Sequence, residues 1–415
     1  MVQTELRRLK SKSSVDSKVR LSGTNLERAA DHNQRVTLHA IRVNGALTRV
    51  GLAKITGLTP PAIANIIKRL LNERLVIEAG QLRGGRGQPA TRYEIAPDAC
   101  FSIGLNIDRD HITCVLVNFL GEIIARRSRE VAFALPDEAH AIYADWVGEL
   151  IDEAGIDPGR LVGVGLAIPD DLGAVDLPGR PGGYVEWDRL DLKQLFAEPL
   201  HLPVFVENDA AAAAMGEMQF GLGQSSSSFF YILISLALGG GLVIDGNYFR
   251  GSQGRSGELG FLIGTGPDGR PEQIQNTVSL SGLRRHLKSR HLNLGAVIGG
   301  EAGGKGTAAM HEWLETATAL LTEPLVSVSC LINPEAVLIG GRLPGPHLDQ
   351  LATMLNEALV RHRDHVPAIA PVKRAALAED APAVGGAILP FSYFLLPRDT
   401  SLWKTPSVMN AGDAG

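Results

Sequence analysis

Thr59, Pro61, Ala62, Asn65, Lys68 and Arg69 fall on one side of the segment TPPAIANIIKRLLN, opposite Ile63, Ile66, Ile67, Leu70 and Leu71. An amide can bond bidentately to the edge of adenine, so Asn65 is the candidate for reading a base. Hydroxyls and cations suit phosphate, which makes Thr59, Lys68, Arg69 and the later Arg92 candidates for contacts that set affinity and register. Arg83 and Arg86 lie between glycines in QLRGGRGQPA, with Gln88 beside them. An extended backbone of this kind can enter a narrow minor groove. An ordinary solvated helix face would account for Lys68 or Arg69 taken singly. The set as a whole points to double-stranded DNA.

Such side chains need elements to present them. In NQRVTLHAIRV, Val36, Leu38, Ile41 and Val43 form a stripe that predicts an amphipathic helix, ended by Gly45. Thr48 is placed to cap a short helix, RVGLAKITG, that stops at Gly57. Thr59 then offers a hydroxyl cap to a third helix, whose first turn holds Pro60 and Pro61, where no N–H is missed. Two helices joined by a tight Gly-containing turn make a helix-turn-helix. LVIEAG and TRYEIA read as two short strands with a polar loop between them, a wing. The expected organisation is a flexible basic arm over 1–22 and a winged helix-turn-helix over 23–97.

Charge agrees with that division. Residues 1–100 hold 17 Lys and Arg against 8 Asp and Glu, while the rest holds 23 against 37, within a net charge of −5. A basic head on an acidic body is the footprint of nucleic-acid binding. The three cysteines, Cys100, Cys114 and Cys330, are too far apart in sequence for a disulfide framework or a paired metal motif. The basic N-terminus is followed by no apolar stretch of signal-peptide type, and no run approaches the ~18 apolar residues of a membrane span. A soluble, cytoplasmic protein with no membrane partner is expected.

Beyond residue 98 the pattern changes. FSIGLNI, ITCVLVNF and EIIARRSREVAF are strand-like, followed by a helical stretch, DEAHAIYADWVGELIDEAG, and a strand, LVGVGLAI. SFFYILISLAL, GGGLVIDGNYFRG, a long helix and AVLIGG repeat the theme. Two such halves in tandem predict an α/β body of two lobes around a cleft, over 98–397, and the final 398–415 reads as a disordered tail.

Six stretches carry a specific resemblance: SIGLNIDRDHITCVLVNFLGEII, VGVGLAIPD, LPVFVENDAAAAAMGE, GGGLVIDGNYFRG, GRSGELGF and LINPEAVLIGG. In that order they resemble the ROK family of repressors and sugar kinases, which implies the two-lobed actin-like sugar-kinase fold. Together with the basic head, the arrangement is that of the family's regulators.

The same resemblance implies residue roles. Family kinases hold ATP with an Asp-x-Gly-Gly-Thr turn, where this chain has Asn106-Ile107-Asp108-Arg109-Asp110. Their second turn, Gly-Thr-Gly, is here Ser235-Leu236-Ala237, with bulk where phosphate would sit. In Glu207-Asn208-Asp209, the aspartate matches the family's catalytic base and Asn208 a sugar-binding residue. Without a phosphate donor, Asp209 is assigned to ligand binding; a helix N-cap is the bland alternative. Glu258 matches a further sugar contact, whereas Phe261 replaces a histidine ligand of the family's zinc and Thr277 a glutamate. No cysteine cluster follows, so no metal and no cofactor is expected, and His286 and His291 read as solvated helix-end residues. The reading is a DNA-binding repressor without catalytic activity, modulated by a sugar in the cleft and acting as a homodimer or homotetramer. The alternative is a sugar kinase with a fused DNA-binding head.

Overall fold

The computed structural model describes residues 26–82, 89–174, 180–266 and 268–397. The expected basic arm, the wing-tip residues Arg83, Arg86 and Gln88, and the expected C-terminal tail lie outside them. The chain divides into two compact units. One comprises residues up to Phe101 with Asn118–Leu120 and Pro390 onward, and the other holds Ser102–Val117 and Gly121–Leu389.

The smaller unit begins with α1 (Leu26–Asn44), β1 (Leu47–Thr48), α2 (Arg49–Thr56) and α3 (Pro60–Asn72), and continues with β2 (Val76–Leu82) and β3 (Ala90–Ile95). Leu38 and Ile41 of α1 are buried as the stripe predicts, but Val43 is exposed. The buried face is instead completed by Gln34, Arg35, Thr37 and Arg42. Gln34, Arg35 and Thr37 each make a hydrogen bond, as burial requires. Gln34 donates to Glu73 at 3.2 Å, and Arg35 donates to the carbonyl of Tyr393 at 2.8 Å and ion-pairs with Asp31. Arg42 lies 5.8 Å from the Phe119 ring centroid.

Local signals at α2 act as expected. The Thr48 hydroxyl accepts from Gly51 N at 3.1 Å, and Gly57, at φ 70°, ends the helix in the left-handed region that favours glycine. Helices α2 and α3 are bent by 114° to one another across a three-residue break. Thr59 departs from expectation, because its hydroxyl makes no capping bond. Prolines at the first two helical positions remove the N–H that the hydroxyl would meet at the second. The strands form a three-stranded antiparallel sheet of order β1-β3-β2.

The larger unit contains two five-stranded sheets. The first comprises β4 (Phe101–Ile107), β5 (His111–Asn118), β6 (Ile123–Glu130), β7 (Leu161–Ile168) and β8 (Val204–Asn208), with α4 (Pro136–Ala154) and the single turn α5 (Leu192–Leu195) between strands. Then come α6 (Asp209–Phe220) and the second sheet's β9 (Phe229–Ile234), β10 (Leu238–Ile244) and β11 (Asn247–Tyr248). A hairpin, β12 (Ile263–Thr265) and β13 (Pro271–Gln273), precedes α7 (Leu280–Lys288), α8 (Leu294–Ile298) and α9 (Gly303–Leu331). The chain closes with β14 (Ala336–Gly341), α10 (Gly345–Val360), β15 (Val372–Arg374) and α11 (Ala381–Phe394).

The strand orders are β6-β5-β4-β7-β8 and β11-β10-β9-β14-β15. Each sheet therefore runs third-second-first-fourth-fifth, the internal duplication that the sequence predicts. Strands β4, β5, β7, β9 and β14 are buried along their whole length. Their continuous apolar runs are the signature of strands covered on both faces. Helix α6 packs Ala210, Ala213 and Ala214 on the second sheet, and α11 packs Ala383, Val384 and Ala387 against Val115 and Val117 of the first. The backbones approach so closely that a methyl on Gly165 would strike the carbonyl of Gly386, and one on Gly385 that of Ala212. Gly165→Ala should therefore cost about 1–3 kcal/mol through overpacking, read as a lower urea midpoint at unchanged slope.

Candidate functional site

In the smaller unit, α3 buries Ile63, Ile66, Ile67 and Leu70, leaving Leu71 partly buried. The opposite face presents Thr59, Pro61, Asn65, Lys68 and Arg69 to solvent, with Ala62 half-buried. The six residues singled out by helical spacing thus share one accessible face. Arg92 is half-buried, and its guanidinium donates to the carbonyl of Ala79 on the neighbouring strand at 3.3 Å. Sequence reasoning also passed over Arg49, which stacks over the Tyr93 ring at 5.4 Å, and Lys54, exposed on α2.

In the larger unit the β4–β5 turn carries a buried charge cluster. Asp110 accepts from Arg284 of α7 and from Arg342, just after β14, each at 2.9 Å, and contacts His111 Nδ1 at 2.9 Å. Arg342 also pairs with Glu130 of β6. Burial alone would push Asp110 upward, but His111 and the two guanidinium groups hold it well below the usual carboxylate range. Asp108 bonds the backbone N–H of Arg109 at 2.7 Å and lies 3.4 Å from its guanidinium. This is the turn for which the family resemblance implied phosphate contact; here its charged side chains pair with one another and with Arg284 and Arg342. Among the described residues, Asp108, Asp110 and His111 bring ligand atoms within 4.8 Å of one another. The Asp110 oxygens are directed at guanidinium groups, whereas Asp108 Oδ2 is buried without a hydrogen-bond partner.

The second turn, Ser235-Leu236-Ala237, closes on itself with Ser235 N donating to the Ala237 carbonyl at 3.0 Å. Leu236 is buried, and its carbonyl accepts from the Ser281 hydroxyl at 2.6 Å.

A small cleft, about 270 Å³ when the solvent open to it is counted, is lined by Asp170, Asn208, Ala210, Gly239, Gly240 and Tyr248 on one part and by 254–256 and Glu258 on the other. Two of the three ligand residues expected from sequence, Asn208 and Glu258, meet here. Asn208, not Asp209, is the N-cap of α6, its side-chain oxygen accepting from Ala210 N at 2.9 Å and Ala211 N at 3.1 Å. Only its amide nitrogen is left for a ligand. Glu258 accepts from Arg255 at 2.8 Å, and the same guanidinium reaches Asp171 at 2.8 Å. Glu207 pairs with Arg250 at 2.5 Å. Asp209 is buried next to the lining, with its Oδ1 on Ala210 N at 2.8 Å. Burial, then the negative charge of Asp108, pushes its carboxyl up to about 7.

Away from the cleft lining, Phe261 is half-exposed and Thr277 donates to Glu272 at 2.6 Å. His291 is exposed as expected, but His286 is partly buried, with Nε2 2.9 Å from the Ala309 carbonyl. Burial lowers its pKa. Sequence reasoning did not single out Asp170, Arg255, Arg284 or Arg342 individually. Asp170 and Arg255 fall inside the quoted motifs VGVGLAIPD and GRSGELGF; no local pattern marks the other two.

Because the folded chain holds a proton on Asp209 that the unfolded chain releases near pH 4, this group favours folding most at low pH. That contribution disappears as pH rises through about 7. Asp209→Asn keeps the bond to Ala210 and removes the ionisation. We expect the variant to be more stable than the parent at pH 8, by about 1 kcal/mol or more, with the gap closing toward pH 5 in thermal unfolding.

The model of the ROK family matches residues 102–391. The xylose repressor of Bacillus subtilis (strain 168) is 25% identical over 372 residues, covering 88% of this chain and 96% of that protein. The crystal structure of a ROK family transcriptional regulator, described as a homolog of the E. coli MLC protein, superposes with a TM-score of 0.65 at 21% identity, covering 88% of this chain and 97% of that one. A ROK family glucokinase from Streptomyces griseus, in complex with glucose and AMPPNP, gives 0.52 at 22% identity, over 70% of this chain and 98% of its own.

Proposed function

The chain belongs to the ROK family, and on that premise we propose that it is a sugar-responsive transcriptional repressor with a winged helix-turn-helix head and a catalytically inactive ROK domain. The observation that carries the reading is the pair α2 and α3, bent by 114°, whose second helix buries one apolar face and exposes Asn65, Lys68 and Arg69. A bend of about 90–120° is that of helix-turn-helix pairs, in which the second helix enters the major groove. Asn65 contacts a base edge, and Thr59, Lys68 and Arg69 hold phosphates. Arg83, Arg86 and Gln88 extend the contact along the wing, with Pro61 and Ala62 lining the approach to the groove. A homodimer or homotetramer sets the spacing of two heads on two half-sites, and a sugar in the cleft shifts that spacing. The names of its relatives, a xylose repressor and a ROK regulator, support the reading.

Footprinting and gel shifts against the DNA upstream of its own gene test it. Lys68→Ala with Arg69→Ala should weaken binding at least tenfold across all sequences and flatten the salt dependence by up to two phosphate contacts. Asn65→Ala should relax the preference at one base pair, a loss of about 1–3 kcal/mol of discrimination. Absence of any salt-sensitive, sequence-selective binding would overturn the proposal.

A sugar-kinase activity is the second reading, and Asp209 favours it. A buried carboxyl pushed up to about 7 is suited to take a proton from a sugar hydroxyl. Against it, Asp110 and Asp108 put negative charge at the first phosphate turn, and Arg284 and Arg342 are already engaged. We expect Mg-ATP to leave the unfolding temperature unchanged and no sugar-dependent ADP release. Release that is lost in Asp209→Asn would establish the kinase.

A further inference from the structure

We propose that Arg255 is a latch across the cleft of the larger unit, holding its two halves in a shut seating that salt releases. Ligand pockets run to roughly 300–1,000 Å³. This cleft falls short of that range, at about 270 Å³ even with the solvent open to it counted. Its lining draws on both halves, Asp170 and Asn208 from the first and the remainder from the second. The halves must part to enlarge it, whatever the cleft binds.

Among the described residues, ion pairs join the two halves at three places, and they differ in how firmly they hold. Asp110, 11% exposed, is shared by Arg284 and Arg342 of the second half. Breaking that join strands a buried charge, so it stays closed. Glu207 with Arg250 lies one residue from Asn208–Asp209, where the chain itself crosses between the halves. The covalent crossing keeps that pair together. Arg126 of β6 also pairs with Asp380, but Asp380 adjoins α11, which packs on the same first sheet. The third join is Arg255 with Asp171, 41% and 67% exposed, and both partners are open to water and salt.

The bonding of Arg255 suits release. Its Nε donates to Glu258 in its own half at 2.8 Å, and its Nη1 donates across the cleft to Asp171 at 2.8 Å. Asp170 stands 4.0 Å from the same guanidinium. Glu258 keeps the arm in place, so opening breaks one short, exposed pair. Such pairs hold weakly, and at 1 M salt the screening length is roughly 3 Å. The latch therefore biases the two seatings without fixing either.

Pulsed electron paramagnetic resonance on the full chain tests this, with spin labels on exposed Cys330 and on Asp152→Cys in the other half; Cys100 and Cys114 are buried. Labelled chain is diluted into unlabelled chain so that each distance is measured within one molecule. Raising salt from about 50 mM to 1 M should enlarge a longer-distance population about two- to fivefold, the range set by one exposed pair. Arg255→Gln and Asp171→Asn should show that population already at low salt and respond little to more. Asparagine tolerates the φ of 51° at Asp171, and a cooperative thermal transition certifies each variant. Arg290→Gln breaks a similarly exposed pair within the second half, to Glu312, and should behave as the parent does. A parent distribution that ignores salt, or latch variants that respond as the parent does, would overturn the latch. An equal change in Arg290→Gln would assign the effect to general screening and overturn it as well.

Discussion

A single carboxylate organises the electrostatics of the larger unit. Asp110 projects from a turn of the first sheet and is gripped by arginines from α7 and from the end of β14, both belonging to the half built on the second sheet. Removing such a group from water is costly, and His111 together with the close guanidinium pair offsets the loss. The same anchoring fixes the turn in which Asp108 and Arg109 lie, and Asp108 in turn raises Asp209. The state of the carboxyl behind the cleft therefore depends on how the turn beneath it is neutralised. The counter-ions of that turn are covalently part of the protein.

The fold and the site were legible in the sequence to different depths, for physical reasons. Helical and strand periodicity depend on neighbours a few residues apart, so the face of α3, the Thr48 cap, the Gly57 stop and the duplicated strand pattern could all be read directly. The Thr59 hydroxyl misleads because proline at the first two helical positions makes it suited to the position yet deprives it of a donor. Asn208 and Asp209 are adjacent cap-forming types, and only the geometry decides which one turns its oxygen to the helix. The partners of Asp110 lie 174 and 232 residues away in sequence, beyond any local pattern. The wing's arginines were proposed from spacing alone and fall outside the described residues.

The two sheets share one strand order, and the fold is common to sugar kinases and to regulators, so architecture cannot by itself assign chemistry. The discrimination comes from what occupies the turns. Leu236 is buried and the ions around Asp110 pair with one another, while the cleft is lined by Asn208, Glu258 and glycine backbone.

The seam where Gly165, Gly385 and Gly386 meet Ala212 is made of main chain pressed on main chain. Side chains elsewhere can exchange rotamers to absorb a small push, but this contact has none to exchange. Ala210, on the cleft wall, and Ala212, in the seam, belong to the same rigid helix. A displacement begun at the cleft meets a stiff gear and not a cushion, so the domain is suited to jump between discrete seatings in place of yielding gradually.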